Sequence, residues 1–179
     1  MAVEIERRFL VKNDLWRGLA PGVEFRQGYF AAEKDRSVRI RTEGPRAVIT
    51  VKGAAKGASR LEFEYPIPFA DCTEMLEKLA IKPLIEKTRT RIPEASGTGL
   101  VWEVDDFHGA NAGLVVAEIE LPDPDAPFQK PAWLGREVTG VARYLNAALA
   151  RRPYSTWTEA ERLPADESQP VQVDKVEGR

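Results

Sequence analysis

Eight stretches of this chain alternate residue by residue between apolar and ionic side chains, and that period of two limits the available folds more than any other feature. They cover residues 3–11, 25–31, 37–42, 47–52, 60–67, 86–92, 101–107 and 114–121. Turn residues separate several of them: Glu43-Gly44-Pro45, the glycine-bounded stretch 53–57, and Gly97-Thr98-Gly99. Links this short make sequential strands antiparallel neighbours. Helical spacing occurs in two places. One helix is expected to open at Asp71, with Glu74 three residues on as a capping box and Met75, Leu76 and Leu79 along one side. The other covers about 139–150, where Val141, Tyr144, Leu145, Ala148 and Leu149 form a stripe that Arg151-Arg152-Pro153 ends. The expected class is mainly β with flanking helices (α+β), both helices lying outside the sheet.

The charges within the alternation come as like-signed doublets. Glu4, Glu6 and Arg8 share one face of the first strand, opposite Val3, Ile5 and Phe9, and Arg60, Glu62 and Glu64 share one face of the fifth. The eighth gives Glu118 and Glu120, the seventh Glu103 and Asp105, the third Arg39 and Arg41, and the sixth Lys87, Arg89 and Arg91, with Lys52 on the fourth. A sheet pointing its polar face at water accounts for any one of these strands. It does not account for the set, because repeated E-x-E and R-x-R doublets crowd like charges that a solvated face would intermix. If the apolar face is the covered outer one, the ionic face points inward, and eight antiparallel strands suffice to close a barrel around a charged tunnel. Such a lumen suits two kinds of guest. Carboxylate pairs are hard oxygen ligands for Mg²⁺ or Mn²⁺, and clustered guanidinium and ammonium groups suit phosphate oxygens.

Composition narrows the alternatives. At 179 residues the chain suits one domain, and 26 Lys+Arg against 28 Asp+Glu leave a net charge of −2, which argues against stable nucleic-acid binding. The single Cys72 and single His108 exclude an intrachain disulfide and a His-rich zinc site, and point to a reducing, cytoplasmic setting. No apolar run approaches the roughly 18 residues of a membrane span, and the charged start offers no signal-peptide core. Residues 1–152 hold 23 bases and 22 acids, whereas 153–179 hold three bases and six acids and are broken by proline. The expected organisation is a body at 1–152 and a polar, acidic, mostly flexible tail at 153–179, with room for one short helical turn, that carries no site and leaves Trp157 exposed.

The run Glu4-Ile5-Glu6-Arg7-Arg8-Phe9-Leu10-Val11 resembles the E-x-E-x-K signature of the CYTH superfamily, the triphosphate tunnel metalloenzymes. The likeness continues through Gln27-Gly28-Tyr29, Val38-Arg39-Ile40-Arg41, Thr50-Val51-Lys52-Gly53, 60–65, Glu86-Lys87-Thr88-Arg89, Trp102-Glu103-Val104-Asp105, Ala117-Glu118-Ile119-Glu120-Leu121 and 133–139, in the manner of the small bacterial branch. It implies an eight-stranded antiparallel tunnel that binds a triphosphate and Mg²⁺ or Mn²⁺. Glu4, Glu6, Glu118 and Glu120 would hold metal, with Asp105 as a further acidic lining residue. Arg8, Arg39, Arg41, Lys52, Arg60, Lys87 and Arg89 would bind substrate. Glu62 and Glu64, as a second-metal or water-orienting pair, and Lys87 are the candidates for proton handling.

The activity expected is hydrolysis of the terminal phosphoanhydride of a triphosphate, inorganic tripolyphosphate first. Thiamine triphosphatase, RNA triphosphatase and class IV adenylate cyclase are the family's other chemistries, and a homodimer stays open. One position departs from the signature, Arg8 standing where the family has lysine. Arginine keeps the phosphate contact but exchanges no proton and needs more room, so a non-catalytic polyphosphate binder is the alternative. Cys72 and His108 read as packing and loop residues.

Overall fold

The computed structural model describes residues 5–33, 36–56, 59–162 and 165, with only the backbone described at 55–56 and 59–60. Nine strands form one antiparallel sheet: β1 (Ile5–Val11), β2 (Gly22–Ala32), β3 (Ser37–Glu43), β4 (Arg46–Lys56), β5 (Ser59–Pro66), β6 (Ile81–Pro93), β7 (Val101–Phe107), β8 (Val115–Leu121) and β9 (Leu134–Glu137). Helix α1 (Phe69–Lys78) links β5 to β6, and α2 (Asn146–Arg151) follows β9. The sheet order is β5-β4-β3-β2-β6-β7-β8-β1-β9.

All eight expected strands are present. The ninth, Leu134-Gly135-Arg136-Glu137, is too short for a period of two to register. It pairs with β1, and the hydrogen-bonded ladder is open between β5 and β9 rather than closed into an eight-stranded ring.

The alternation sorts the two faces as the sequence requires, but their coverings differ from expectation. On the outer face α1 lays Cys72 and Leu76, and the turn after it Ala80, against Ile40 and Ala47. This approach is close enough that a Cβ on Gly28 would lie 2.6 Å from Ala80 Cβ and 3.0 Å from Leu76 Cδ2. Over β1, β7 and β8 the cover is loop, not helix. Trp16 from the β1–β2 link and Trp133 from the β8–β9 link bury Phe9, Trp102 and Ile119, with Trp102 edge-on to Trp133 at 5.7 Å. Helix α1 starts behind Pro68 with no side-chain cap, so Asp71 sits in its first turn and the Asp71–Glu74 capping box does not form.

The second helix lies elsewhere than expected. Leu10, Ile85, Phe107 and Val116 are two residues along from Arg8, Lys87, Asp105 and Glu118, so they share the inner face, and they pack with Tyr144, Leu149 and Trp157. Helix α2 thus fills one end of the lumen instead of covering the outside. It is also short, because Gly140 has φ +76° and the following residues 142–144 form a 3-10 turn before Asn146.

The composition break at 153 is not a packing break, which corrects the flexible-tail expectation over 153–162. Two 3-10 turns occupy Tyr154–Thr156 and Glu159–Glu161, and Trp157 is only 5% exposed, edge-on to Tyr144 at 5.2 Å and Tyr154 at 5.1 Å. Ala165 O accepts from Arg136 N at 2.8 Å, and a Cβ on Gly135 would lie 2.5 Å from that oxygen. A mean over a polar segment hides one indole that anchors it. Residues 163–164 and 166–179 of the expected tail lie outside the described residues. Among the described residues no helix is long and apolar enough to cross a membrane.

Candidate active site

The ionic face surrounds a cavity of about 610 Å³ bounded at the α2 end by residues 145–147. Strand register decides which charges meet. In the wall formed by β1, β8, β7 and β6, Arg8 lies opposite Glu118, Arg89 opposite Asp105 and Arg91 opposite Glu103. Acids also face acids, Glu6 opposite Glu120 and Glu103 opposite Glu118. Like charges so placed are destabilising unless cations reach between them, and arginines do. Arg8 spans Glu6 through Nη2 and Glu118 through Nε, the latter at 2.7 Å. Arg89 donates Nε and Nη2 to the two oxygens of Asp105 at 2.6 Å each, pairs with Glu103, and reaches Glu118 at 3.3 Å. Arg91 links Glu103 at 2.8 Å to Glu43 at 3.1 Å.

Asp105 is the hub of this wall. It is 1% exposed, and Lys87, 3% exposed, donates to its Oδ2 at 2.5 Å. Burial pushes the Lys87 ammonium below its ordinary value despite the attraction of Asp105. Burial also opposes ionisation of Asp105, but Lys87 and Arg89 outweigh it and hold the carboxyl below the usual range. For Arg89 burial works against the charge, and Asp105, Glu103 and Glu118 more than compensate, raising its pKa.

The opposite wall, β3, β4 and β5, is sparser. Lys52 pairs with Glu62 at 2.7 Å, Arg41 reaches Glu64 at 3.4 Å, and Thr50 Oγ1 donates to Glu64 at 3.0 Å. The buried Nε atoms of Arg39 and Arg41 make no hydrogen bond. Burial and then the neighbouring Arg39 lower the Arg41 pKa. Between the walls stands Phe25, whose ring centre is 5.5–6.0 Å from Arg41, Lys87, Arg89 and Arg91. The ring quadrupole attracts cations at such distances, adding to the carboxylate pairs that hold them.

Of the residues singled out in the sequence, Glu6, Arg8, Arg39, Arg41, Lys52, Glu62, Glu64, Lys87, Arg89, Glu118 and Glu120 line this one cavity. Asp105 does not. The metal-lining place expected for it is corrected, since it stands behind the wall with both oxygens taken by Lys87 and Arg89. Glu4 and the side chain of Arg60 lie outside the described residues. Phe25 and Gln27, which carry no charge to single them out in the sequence, also line the cavity; both sit at inward positions of β2, where the ordinary alternation is the available signal. His108 meets Thr88 Oγ1 at 2.7 Å and is not in the cavity lining, and Cys72 is buried beneath α1.

Glu6, Glu103, Glu118 and Glu120 also line an adjoining cavity of about 290 Å³ beside residues 99–101. Among the described residues no three His, Cys, Asp or Glu side chains converge into a ready-made metal cage. The donor set nonetheless has the chemistry of a hard-cation site: carboxylates on adjacent strands, two of them directly opposed at like charge. Oxygens of Glu6 and Glu118 are turned toward Arg8 and Arg89.

Known proteins are similar to this chain in sequence and fold. The CYTH domain model matches residues 2–154. The chain is 51% identical over 159 residues to an inorganic triphosphatase of Acetivibrio thermocellus, covering 89% of this chain and 100% of that one. It is 37% identical over 152 residues to an inorganic triphosphatase of Nitrosomonas europaea, covering 82% and 96%. Among solved structures, that of the inorganic triphosphatase NE1496 superposes with a TM-score of 0.65 at 32% identity, over 84% of this chain and 95% of that chain. With the family model spanning nearly all of the described body and the ionic face enclosing one cavity, the chain belongs to the CYTH domain family.

Proposed function

We propose that this chain is a divalent-metal-dependent triphosphatase that cleaves the terminal phosphoanhydride of inorganic tripolyphosphate inside the lumen, in the cytoplasm. The observation that carries this reading is the pair of buried, unpartnered guanidinium Nε donors, Arg39 and Arg41, in a cavity that carboxylates share. Buried donors without acceptors are costly, and a polyphosphate is the guest that supplies acceptors to one wall while a cation serves the other. The names of the two curated relatives favour inorganic triphosphate over a nucleotide.

In this reading Arg39, Arg41, Lys52 and Arg89 fix the phosphate chain, with Arg8 as a further contact. Mg²⁺ or Mn²⁺ held by Glu6, Glu118 and Glu120, with Glu4, two residues before Glu6 in the sequence, as a further candidate, would supply charge neutralisation for the phosphoryl oxygens. Phosphoryl transfer asks mostly for positioning and electrostatic stabilisation, which fixed side chains on a sheet provide. A water in line with the terminal P–O bond loses its proton to Glu62 or Glu64. Lys87, its pKa lowered by burial, protonates the leaving pyrophosphate. Asp105 is then a positioning residue, fixing Lys87 and Arg89 by its two oxygens.

The test is phosphate release from tripolyphosphate, ATP and pyrophosphate with Mg²⁺ or Mn²⁺, beside an EDTA control. Metal-dependent release with tripolyphosphate preferred is expected, and Glu120→Gln should abolish it. Binding of tripolyphosphate without release would establish the non-catalytic alternative instead.

A further inference from the structure

Arg8 stands where a cation ligand set would have to open. Its side chain is 11% exposed, its Nη2 is on Glu6 Oε1, and its Nε is on Glu118 Oε1 at 2.7 Å. Arg89 takes the other oxygen of Glu118 at 3.3 Å. Both oxygens of Glu118 and one of Glu6 are thereby engaged by guanidinium, on the strand pair where Glu6 also faces Glu120. A divalent cation approaching these carboxylates must displace Arg8 and then tolerate its charge a few ångströms away. A triphosphate changes that balance, because its oxygens offer the planar fork a bidentate seat in place of the carboxylates.

We propose that Arg8 is a charge gate: closed on Glu6 and Glu118 it masks the cation site, and a triphosphate that draws it away exposes the carboxylates, so cation and triphosphate bind as a coupled pair. This rests on the tripolyphosphatase reading above and adds to it an order of events. By linkage each ligand raises the other's affinity by the same factor, and couplings of this kind are typically about 5- to 150-fold. The gate depends on the guanidinium. A lysine at this position presents one point charge and cannot span two carboxylates through separate nitrogens, so it is the arginine at position 8 that builds the gate.

The gate and a simple phosphate anchor predict opposite behaviour for Mn²⁺ alone. If Arg8 only anchors phosphate, Arg8→Met weakens triphosphate binding and leaves Mn²⁺ affinity unchanged. If Arg8 gates, Arg8→Met binds Mn²⁺ alone at least tenfold more tightly than wild type, and Arg8→Lys lies between.

The experiment titrates the full chain with Mn²⁺, reading bound ion by electron paramagnetic resonance and heat by calorimetry. Separate arms add a non-hydrolysable imido analogue of tripolyphosphate, corrected for its own Mn²⁺ affinity, and the analogue with EDTA. Wild-type affinity for Mn²⁺ should rise at least tenfold with the analogue, an arm that needs no variant to fold. Equal wild-type Mn²⁺ affinity with and without analogue overturns the gate, as does an Arg8→Met affinity matching wild type in folded protein. Absence of analogue binding in every arm would instead remove the triphosphatase reading beneath it.

Discussion

The two walls of the cavity hold similar residue types and behave differently. On the β1–β8–β7–β6 wall every base is locked to acids: Lys87 and Arg89 share Asp105, and Arg8 and Arg89 share Glu118. Behind three of its strands lies a tryptophan-rich cluster that leaves the outer face dry. The β3–β4–β5 wall has one short ion pair, Lys52 with Glu62, only long contacts for Arg41, two buried Nε donors with no acceptor, and an edge strand whose outer side chains are open to solvent. Charge alone does not distinguish the walls; satisfaction does. A satisfied network costs little to keep and much to break from one side, whereas an unsatisfied donor gains only when a ligand arrives. The first wall is therefore mainly a framework, from which Arg8 and Arg89 face the guest, and the second is the surface whose donors are left over for anionic oxygen.

Removing Asp105 should break the framework most severely. Asp105→Ala leaves a buried ammonium and a buried guanidinium without their shared acceptor, and one-sided loss of such a pair costs about 3–5 kcal/mol. Urea denaturation would show it as a fall in midpoint at unchanged slope. A loss below about 1 kcal/mol would mean that the network relaxes freely and that the walls do not differ in the way argued.

On the other wall the same kind of truncation should leave stability alone and strike binding. Arg39→Ala removes a guanidinium whose Nε has no partner and whose charge lowers the pKa of Arg41, so melting should be unchanged or slightly improved. Tripolyphosphate affinity should fall by roughly 10- to 100-fold, as expected for a charged hydrogen bond worth about 1.5–3 kcal/mol. Calorimetry on the variant beside wild type decides it, and the comparison fails if Arg39→Ala melts as early as Asp105→Ala.

This contrast shows what the sequence makes legible. Period-two alternation places Glu6, Arg8, Arg39, Arg41, Lys87, Arg89, Glu118 and Glu120 on one face, and the structure gathers them all around one cavity. Alternation cannot say which partner a charge chooses, because that depends on cross-strand register. Asp105 has the right parity for the lumen, yet its register opposite Arg89 ties it up within the wall. Nor does parity distinguish ionic lumen from apolar end plug. Leu10, Ile85 and Val116 continue the same inner face, and that is why α2 lies inside it rather than outside. Trp157 was hidden by the polarity of its neighbours and β9 by its four-residue length.

Acid should weaken the framework and the tail anchor. The carboxyls of Asp105 and Glu137 are both held low, Glu137 chiefly by its hydrogen bond from Arg7, and Glu161 is pulled down to about 2 chiefly by Arg152. Each binds its proton more readily unfolded than folded. Their contribution is therefore present above the ordinary carboxylate range and is lost as pH falls through the folded values. Melting temperature should decline from about pH 4.5 downward, and Glu161→Gln should flatten the part near pH 2 to 4.5 when Trp157 fluorescence is the probe. A melting temperature flat across that window would contradict the assignment of these carboxylates to stabilising pairs.

The smallest effect is expected where the apolar alternation continues with nothing packed over it. Leu61, Phe63 and Tyr65 occupy the outer face of β5 at 60%, 49% and 56% exposure, beyond the reach of the α1 cluster. Their period of two orients Glu62 and Glu64 inward, and a β-branched polar residue would do that equally well. Phe63→Thr should shift stability by no more than about 0.5 kcal/mol, as for surface positions generally, and leave tripolyphosphate affinity intact. Ile119→Ala, on the covered outer face of β8, should by contrast cost about 2–5 kcal/mol. Equal losses at the two positions would show that the β5 face is covered in solution, and concentration-dependent melting of wild type but not of Phe63→Thr would identify a second copy of the chain as the cover.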